Sequence, residues 1–379
     1  MESTASPGRI VVLLLASGAL LATGCAVRRD LLCQVPQPPP SQNDIFVKYL
    51  GVGGFLLTRG QQALMTPPLL SNPGPLAVGL GRVRSDPRQV RAGLRRVGVS
   101  DEDLKRVQAI LVGHAHYDHL LDVPELWRKA SKAKIYGSRT VGHLLAAEDS
   151  GVPRDAFCNV SGRARRYEDD VEDSDWIEVV PGDDKLGAVR ILPLIAEHAP
   201  QFMGVQAWPG GLREDVKSLP RTADRWPQGL TLAYLIDFLD INGGVAFRIH
   251  FSDSSLAPPC GYVPRRLGGT RGVNLALLTT GGSKDTGLYP EELLSNACVE
   301  QVLLGHWEWF FRKYEGRGSL DALPDVEPLL WKVRAARLKQ GCFPVPGTVF
   351  AFAPKPPPPC PTLAEYPPRH CGCRPPLPG

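Results

Sequence analysis

The stretch Leu111 to Asp122, LVGHAHYDHLLD, sets three histidines and an aspartate into six positions, and it constrains the fold of this chain more tightly than any other feature. With 8 histidines in 379 residues, the frame H-x-H-x-D-H would arise from composition in roughly one such chain in five thousand. Chance is therefore set aside. A single histidine is ordinarily a packed or solvated residue, whereas four ligand-capable groups in one turn call for a shared role. Imidazole and carboxylate suit zinc, iron or manganese, and the motif holds no cysteine that would suggest a structural thiolate site.

The apolar run AILVG delivers the motif from a strand. On an extended segment residues two apart point the same way, so His114 and His116 can reach one metal ion. Asp118 and His119 are adjacent and must diverge, which suits a second ion. Asp122 and Glu125 have capping-box spacing with Pro124 in the first turn, so a helix is expected to start here and support the ligand turn from behind.

Strands and helices alternate along the rest of the domain. IFVKYLGVGGFLLTRGQQALMTPP is expected to give two strands with a turn at Arg59 and Gly60. DPRQVRAGLRRVGV carries Val90, Leu94 and Val97 at helical spacing and is read as a helix whose arginines form a solvated face rather than an anion site. Ser100 and Asp103 can cap a short helix, AKIYG is a strand and SRTVGHLLAAEDSG a helix, with His143 in it read as structural. WIEVV, AVRILPLIAEH, TLAYLIDF, GVAFRIHFSD and NLALLTTGG continue as strands. EELLSNACVEQVLLGH runs from helix to strand, a helix spans about Asp325 to Lys339, and a last strand lies near GTVFAFAP. Three further metal-capable residues, His198, Asp253 and His306, fall at the ends of apolar strands, where sites are commonly assembled. Parity favours Asp253 over His250, because Asp253, Phe251 and Ile249 share one face of the strand and His250 and Arg248 the other.

An H-x-H-x-D-H turn after an apolar strand, followed by a His, an Asp and a last His at successive strand ends, resembles the metallo-β-lactamase superfamily from about Ile45 to Ala353. The resemblance implies an α/β fold, a four-layer αββα sandwich with the metals at one edge of the two sheets. It implies two zinc ions per chain, with manganese or iron as alternatives: His114, His116 and His198 on the first, Asp118, His119 and His306 on the second, and Asp253 bridging. A water between such ions becomes a hydroxide nucleophile near neutral pH, with Asp118 placed to orient it and shuttle its proton. His116 in place of Glu argues against the di-iron oxidoreductase branch. The strand spacing and the late His306 resemble most the branch containing N-acyl-phosphatidylethanolamine phospholipase D and L-ascorbate 6-phosphate lactonase. This chain departs from that branch at Val52, Thr66 and Ser252, which leaves the metal set intact. The expected activity is hydrolysis of a small-molecule or lipid-like phosphodiester. The alternatives are a lactonase or thioesterase, then a β-lactam hydrolase, a mono-iron sulfur dioxygenase or a non-catalytic surface protein. HWEWFF places Trp307, Trp309 and Phe310 as an apolar wall for substrate or as core residues, and the segment from Ala199 to Gly229 reads as a loop over the site or a surface excursion.

The ends of the chain address its location. Arg9 precedes an apolar run from Ile10 to Ala22, too short for a membrane span and the right length for a signal peptide. It ends in LLATGC, which resembles the lipobox of bacterial lipoproteins and implies a signal peptide over residues 1–24 and a lipidated Cys25. Residues 25–44, with QVPQPPPSQ, read as a stiff tether, residues 45–353 as the hydrolase domain and residues 354–379 as a Pro/Cys-rich tail. The expectation is export and lipid anchoring at a bacterial membrane, the outer membrane where there is one, since Ala26 rather than Asp follows the cysteine. Eight cysteines remain after Cys25 and allow up to four disulfides in an oxidising compartment, with the tail stapled to the domain. A net charge of +4 with no basic stripe tracking a phosphate backbone argues against nucleic acid as a partner.

Overall fold

Three consecutive strands, rather than the two expected, open the first sheet. In the computed structural model, which describes residues 25–26, 28–33, 41, 43–79, 82–200, 206–311, 321–323, 326–336, 338, 341–361 and 371, the chain runs out along Ile45–Gly51, back along Gly54–Arg59 and out again along Gln62–Thr66. The extra reversal lies in LGVGG, where Gly51 and Gly53 take φ of +97° and +74° on either side of Val52 at +49°. A left-handed run of this kind is open to glycine and costly for a valine, so its neighbours must hold Val52 in place. Thr66 does part of this: its hydroxyl accepts from Phe55 N–H (2.8 Å) and donates to the Gly53 carbonyl (3.0 Å).

The first sheet has seven strands in the order Val349–Phe352, Ile45–Gly51, Gly54–Arg59, Gln62–Thr66, Val107–Leu111, Lys134–Gly137, Phe157–Asn159. The last four pair in parallel and therefore need crossover connections. The helices Pro87–Arg96, Asp101–Arg106, Val123–Lys129 and Arg139–Leu145 lie in those connections. Their starts follow local chemistry. Asp86 caps the first by accepting from Arg88 N–H, with Pro87 behind it, and Ser100 and Asp103 form the expected capping box. The helix after the ligand motif begins at Val123 with Pro124 in its first turn, but Asp122 does not cap it. Its buried carboxylate instead accepts from Leu70 N–H, Ser71 N–H and the hydroxyls of Ser71 and Ser85, while Glu125 pairs with Arg128. Four donors from the incoming loop satisfy a buried carboxylate better than one helix N–H would.

The second sheet has six strands in the order Val302–Gly305, Leu275–Thr279, Val245–Ser252, Leu232–Leu239, Val189–Ile195, Ile177–Val180. Period-two alternation divides the first sheet between two cores. Leu64, Ala109 and Leu111 share one buried cluster with Ile191, Leu235, Ile249 and Leu303 of the second sheet. Ala63, Met65 and Ile110 point the other way, into a cluster with Val90, Leu94, Leu126 and Leu144 of the crossover helices. The helices Glu291–Asn296 and Glu327–Ala335 bury Leu293, Leu329, Leu330 and Val333 against the second sheet. The layers run helix, sheet, sheet, helix, as the αββα expectation required.

Strand direction places the site. Val245–Ser252, Leu275–Thr279 and Val302–Gly305 run parallel. Val189–Ile195 runs the same way, since one antiparallel strand separates it from Val245–Ser252. Their C-terminal ends share one edge, and His198, Asp253 and His306 stand just beyond three of them.

The packed domain begins before Ile45. Leu31 is fully buried and Cys33 is bonded to Cys342, so residues 29–33 belong to the core and are not free tether. Cys260–Cys371 and Cys298–Cys360 staple the tail as expected, and Cys158 is a free thiol. The signal peptide (1–24), most of the proline-rich tether and the rest of the tail, including Cys373, lie outside the described residues, as do both expected limits of the helix now seen as Glu327–Ala335. Among the described residues no helix is long and apolar enough to cross a membrane.

Candidate metal centre

The ligand turn is built where the two sheets meet. Strand Val107–Leu111 ends at Val112, whose carbonyl accepts from Tyr234 Oη (2.9 Å) of the second sheet. Leu232 N–H donates to Gly113 O (2.8 Å), and Ala115 N–H donates to Gln228 O (2.9 Å). Gly113 is glycine for a steric reason. A Cβ there would lie 2.3 Å from the Asp253 carboxylate, so only a hydrogen lets that carboxylate approach the turn.

All seven sequence-predicted ligands converge. His114, His116 and His198 form one group, Asp118, His119 and His306 a second, and Asp253 joins His114 and His119 in a third that links them. His114 Nε2 stands 3.1 Å from His116 Nδ1 and 3.1 Å from His198 Nε2. Asp118 Oδ2 stands 3.3 Å from His306 Nε2 and 3.4 Å from His119 Nε2. Ligand atoms held 2.0–2.1 Å from a tetrahedral ion are about 3.3 Å apart, so these four contacts have the spacing found within a first coordination shell. Asp253 Oδ1 lies 3.0 Å from His114 Nδ1 and its Oδ2 lies 3.6 Å from His119 Nδ1. The contact to Nδ1 sets the His114 tautomer that turns the Nε2 lone pair toward His116 and His198.

The electrostatics suit a cation. Burial, followed by the neighbouring imidazoles, holds His114 and His116 far below the ordinary histidine range, and burial pushes His119 down to about 3. These rings are neutral, and their nitrogens face the other members of their two groups. For Asp118 burial works upward, but His119, His306 and His116 outweigh it and keep the carboxyl well below its usual value. Of the seven side chains Asp118 is the most accessible, at 13% exposure. Neutral imidazoles whose nitrogens face one another without enough protons to share, beside an ionised carboxylate, fit divalent metal ions.

Other residues hold this set in place, and apart from the 199–229 segment the sequence carried no signal for them. His306 sits at φ +55°, a strained position for a histidine. Its N–H donates to Tyr49 Oη (2.9 Å), Tyr49 Oη donates to Glu308 Oε2 (2.6 Å), and Thr280 Oγ1 donates to the His306 carbonyl (2.7 Å). Trp208, at φ +44°, sets its ring centroid 5.9 Å from those of both His116 and Tyr117. Gln206 Nε2 donates to the His198 carbonyl, and Gln228 N–H donates to Trp208 O. The described part of the 199–229 segment thus leans on the first group of ligands and then docks on helix Arg139–Leu145.

The aromatic run divides. Phe310 stacks edge-on against His306, with centroids 5.0 Å apart, and Trp309 and Phe311 pack beside it. Trp307 does not line the site: it is fully buried, stacks on Phe343 and donates Nε1–H to Pro344 O. The left-handed His306 turns the next side chain into the core. His250 is buried away from the ligands, against Gly261 O, as parity required, and His143 pairs with Asp215.

Residues 69–181 match a family model described as a Beta-lactamase superfamily domain. A curated metal-dependent hydrolase from Aeropyrum pernix is 28% identical over 114 residues, which is 29% of this chain and 38% of that protein. The alignment therefore spans well under half of that relative. Among solved structures, a metallo hydrolase from the archaeon Ignicoccus hospitalis covers 82% of this chain and 100% of its own at 16% identity and a TM-score of 0.45. A diiron β-hydroxylase from Streptomyces venezuelae covers 83% of this chain and 55% of its own at 14% identity and a TM-score of 0.42.

Proposed function

We propose that this chain, whose residues 69–181 match a β-lactamase superfamily domain, is a dinuclear metal-dependent hydrolase of that superfamily acting on a phosphodiester with a lipid-like or other apolar group. One observation carries the reading: two three-residue groups of ligand-capable side chains, buried or nearly so, linked by Asp253. His114, His116 and His198 would hold one ion and Asp118, His119 and His306 the other, and Asp253 would join the two groups through its contacts with His114 and His119. Zinc suits the mixture of imidazole and carboxylate best, manganese and iron being the alternatives. Ions bound there supply an activated water and neutralise charge developing on the substrate.

The remaining steps belong to side chains. Asp118, ionised and the most accessible of the set, orients the attacking water through a carboxylate oxygen and passes its proton toward the leaving oxygen. Asp253 keeps His114 in one tautomer. Tyr49, joined to Glu308, holds the backbone of His306 in its left-handed turn. Trp208 on one flank is the aromatic surface that receives an apolar group, while Phe310, buried against His306 and Phe311, excludes water on the other.

Cys25 is the proposed lipidation site of an exported, anchored protein, and its support is the sequence LLATGC together with three disulfides. The test is a hydrolysis screen against an aryl phosphodiester, a homoserine lactone, a thioester and a chromogenic cephalosporin, with Asp118→Ala as control and metal content measured on the same samples. Two zinc ions per chain and phosphodiester turnover abolished in Asp118→Ala are expected. Equal inertness of both proteins on every substrate, or metal-free protein after careful preparation, would sink the proposal.

A further inference from the structure

One segment of this chain is markedly basic. Residues 82–96 hold six arginines and a single acid, Asp86, for a net charge of +5 against +4 for the whole chain, which leaves the remainder at −1. Helix Pro87–Arg96 buries Val90, Gly93 and Leu94 and exposes Arg88, Arg91 and Arg95 at i, i+3 and i+7, neighbouring positions on one helical face. Arg82 and Arg84, on the approach to the helix, are exposed as well.

Among the described residues, no ion pair neutralises Arg82, Arg84, Arg88, Arg91 or Arg95. Asp86 is engaged with the Arg88 backbone. The acids of the next helix have partners of their own: Asp101 with Lys129, Glu102 with Lys105 and Asp103 with Arg106. Helix stability does not explain the stripe either. Arg95, in the last turn, is favoured by the helix dipole, but Arg88, in the first turn, stands at the positive end and is opposed by it.

The patch borders apolar surface and the site. Arg82 N–H donates to Ala77 O of the short helix Pro75–Gly79, whose Leu76 is 76% exposed. Val78 of that helix shares a buried cluster with Phe310, and Phe311 and Trp208 pack on the same cluster. Gly74, just before the helix, comes within 3.9 Å of the Phe311 carbonyl when given a Cβ. Basic side chains, an exposed leucine and the aromatic flank of the metal centre therefore lie in sequence across one region.

We propose that Arg82, Arg84, Arg88, Arg91 and Arg95, with Leu76 beside them, form a docking surface for the phosphate headgroups of an anionic lipid bilayer. A helical face that mixes cations with apolar side chains suits a membrane interface. Clustered arginines near an anionic leaflet each add a similar increment of binding. Nucleic acid, the other common polyanion, is disfavoured by the three disulfides, which mark an oxidising compartment. The inference does not depend on which bond the site cleaves, and it is separate from any lipid at Cys25.

Partitioning of the purified full chain onto vesicles of phosphatidylcholine alone, and of phosphatidylcholine with added phosphatidylglycerol, tests it. The readout is the preference for anionic over neutral vesicles, which a lipid anchor alone does not create. Wild type should show that preference and lose it as salt is raised. The Arg88→Gln, Arg91→Gln, Arg95→Gln triple variant should retain its thermal midpoint and its metal content, because these side chains are exposed and outside the metal site, yet bind anionic vesicles on the order of 100-fold more weakly. Leu76→Ser should weaken binding to anionic vesicles with its salt dependence unchanged. Equal partitioning of wild type and triple variant, or tighter binding of wild type to duplex DNA than to anionic vesicles at the same ionic strength, would overturn the proposal.

Discussion

Replacing Gly113 with alanine tests whether the ligand turn and Asp253 form one unit. The added Cβ would stand 2.3 Å from the Asp253 carboxyl carbon and both of its oxygens, where ordinary contact begins at 3.4 Å. Either the carboxylate or the turn must therefore retreat by about 1 Å, well beyond the roughly 0.5 Å within which a functional site holds its geometry. The turn has little freedom, because Tyr234 Oη and Leu232 N–H tie Val112 and Gly113 to the second sheet. Asp253 should move, and with it the His114 Nδ1 contact that sets that ring. Loss of such an orienting partner costs about 10- to 100-fold in metal affinity, and a displacement of this size costs on the order of 100-fold in turnover. Competitive zinc titration against a chromogenic chelator would follow the first and the hydrolysis screen the second, with circular dichroism confirming that the fold is intact. If Gly113→Ala bound two zinc ions as tightly as wild type, the assignment of Asp253 as the group linking the two ligand sets would be wrong.

Other consequences are equally open to measurement. Tyr49→Phe leaves the buried His306 N–H without its acceptor, at about 1–3 kcal/mol, so the thermal midpoint should fall and the weaker of two zinc affinities should drop about tenfold or more; unchanged zinc binding would relegate Tyr49 to packing. His250 is buried with its folded-state pKa pushed down to about 4, whereas an unfolded histidine titrates near 6.5. Its stabilising contribution is therefore complete above about pH 6.5 and is lost as pH falls toward 4, about 2 kcal/mol of it by pH 5. Urea unfolding of chelator-treated wild type and His250→Gln should give a shallower pH slope for the variant. Non-reducing peptide mapping should recover Cys33–Cys342, Cys260–Cys371 and Cys298–Cys360, with Cys158 open to alkylation. Breaking Cys33–Cys342 should cost about 2–5 kcal/mol, and a Cys33→Ser protein as stable as wild type would place residues 29–33 outside the packed domain.

The sequence by itself determined the candidate ligand set to an unusual degree. His114, His116, Asp118 and His119 are local, so their spacing reports their geometry directly. His198, Asp253 and His306 are distant, but each ends an apolar strand, and strand parity was enough to prefer Asp253 to His250. The αββα order was legible for the same reason, since alternation along each strand records which face is buried. Tertiary structure alone decided what depends on contacts between distant segments. LGVGG became a turn because left-handed backbone at Val52 is supported by Thr66 and by packing that no local propensity encodes. Asp122 abandoned its cap because four donors from the 70–85 loop reach it first. Trp307 went into the core and Phe310 onto the site because His306 adopts a left-handed backbone held by Tyr49, which lies 257 positions away. Spacing along a chain reports direction within one element, whereas the partner that meets a side chain across two sheets is set only when those sheets close on each other.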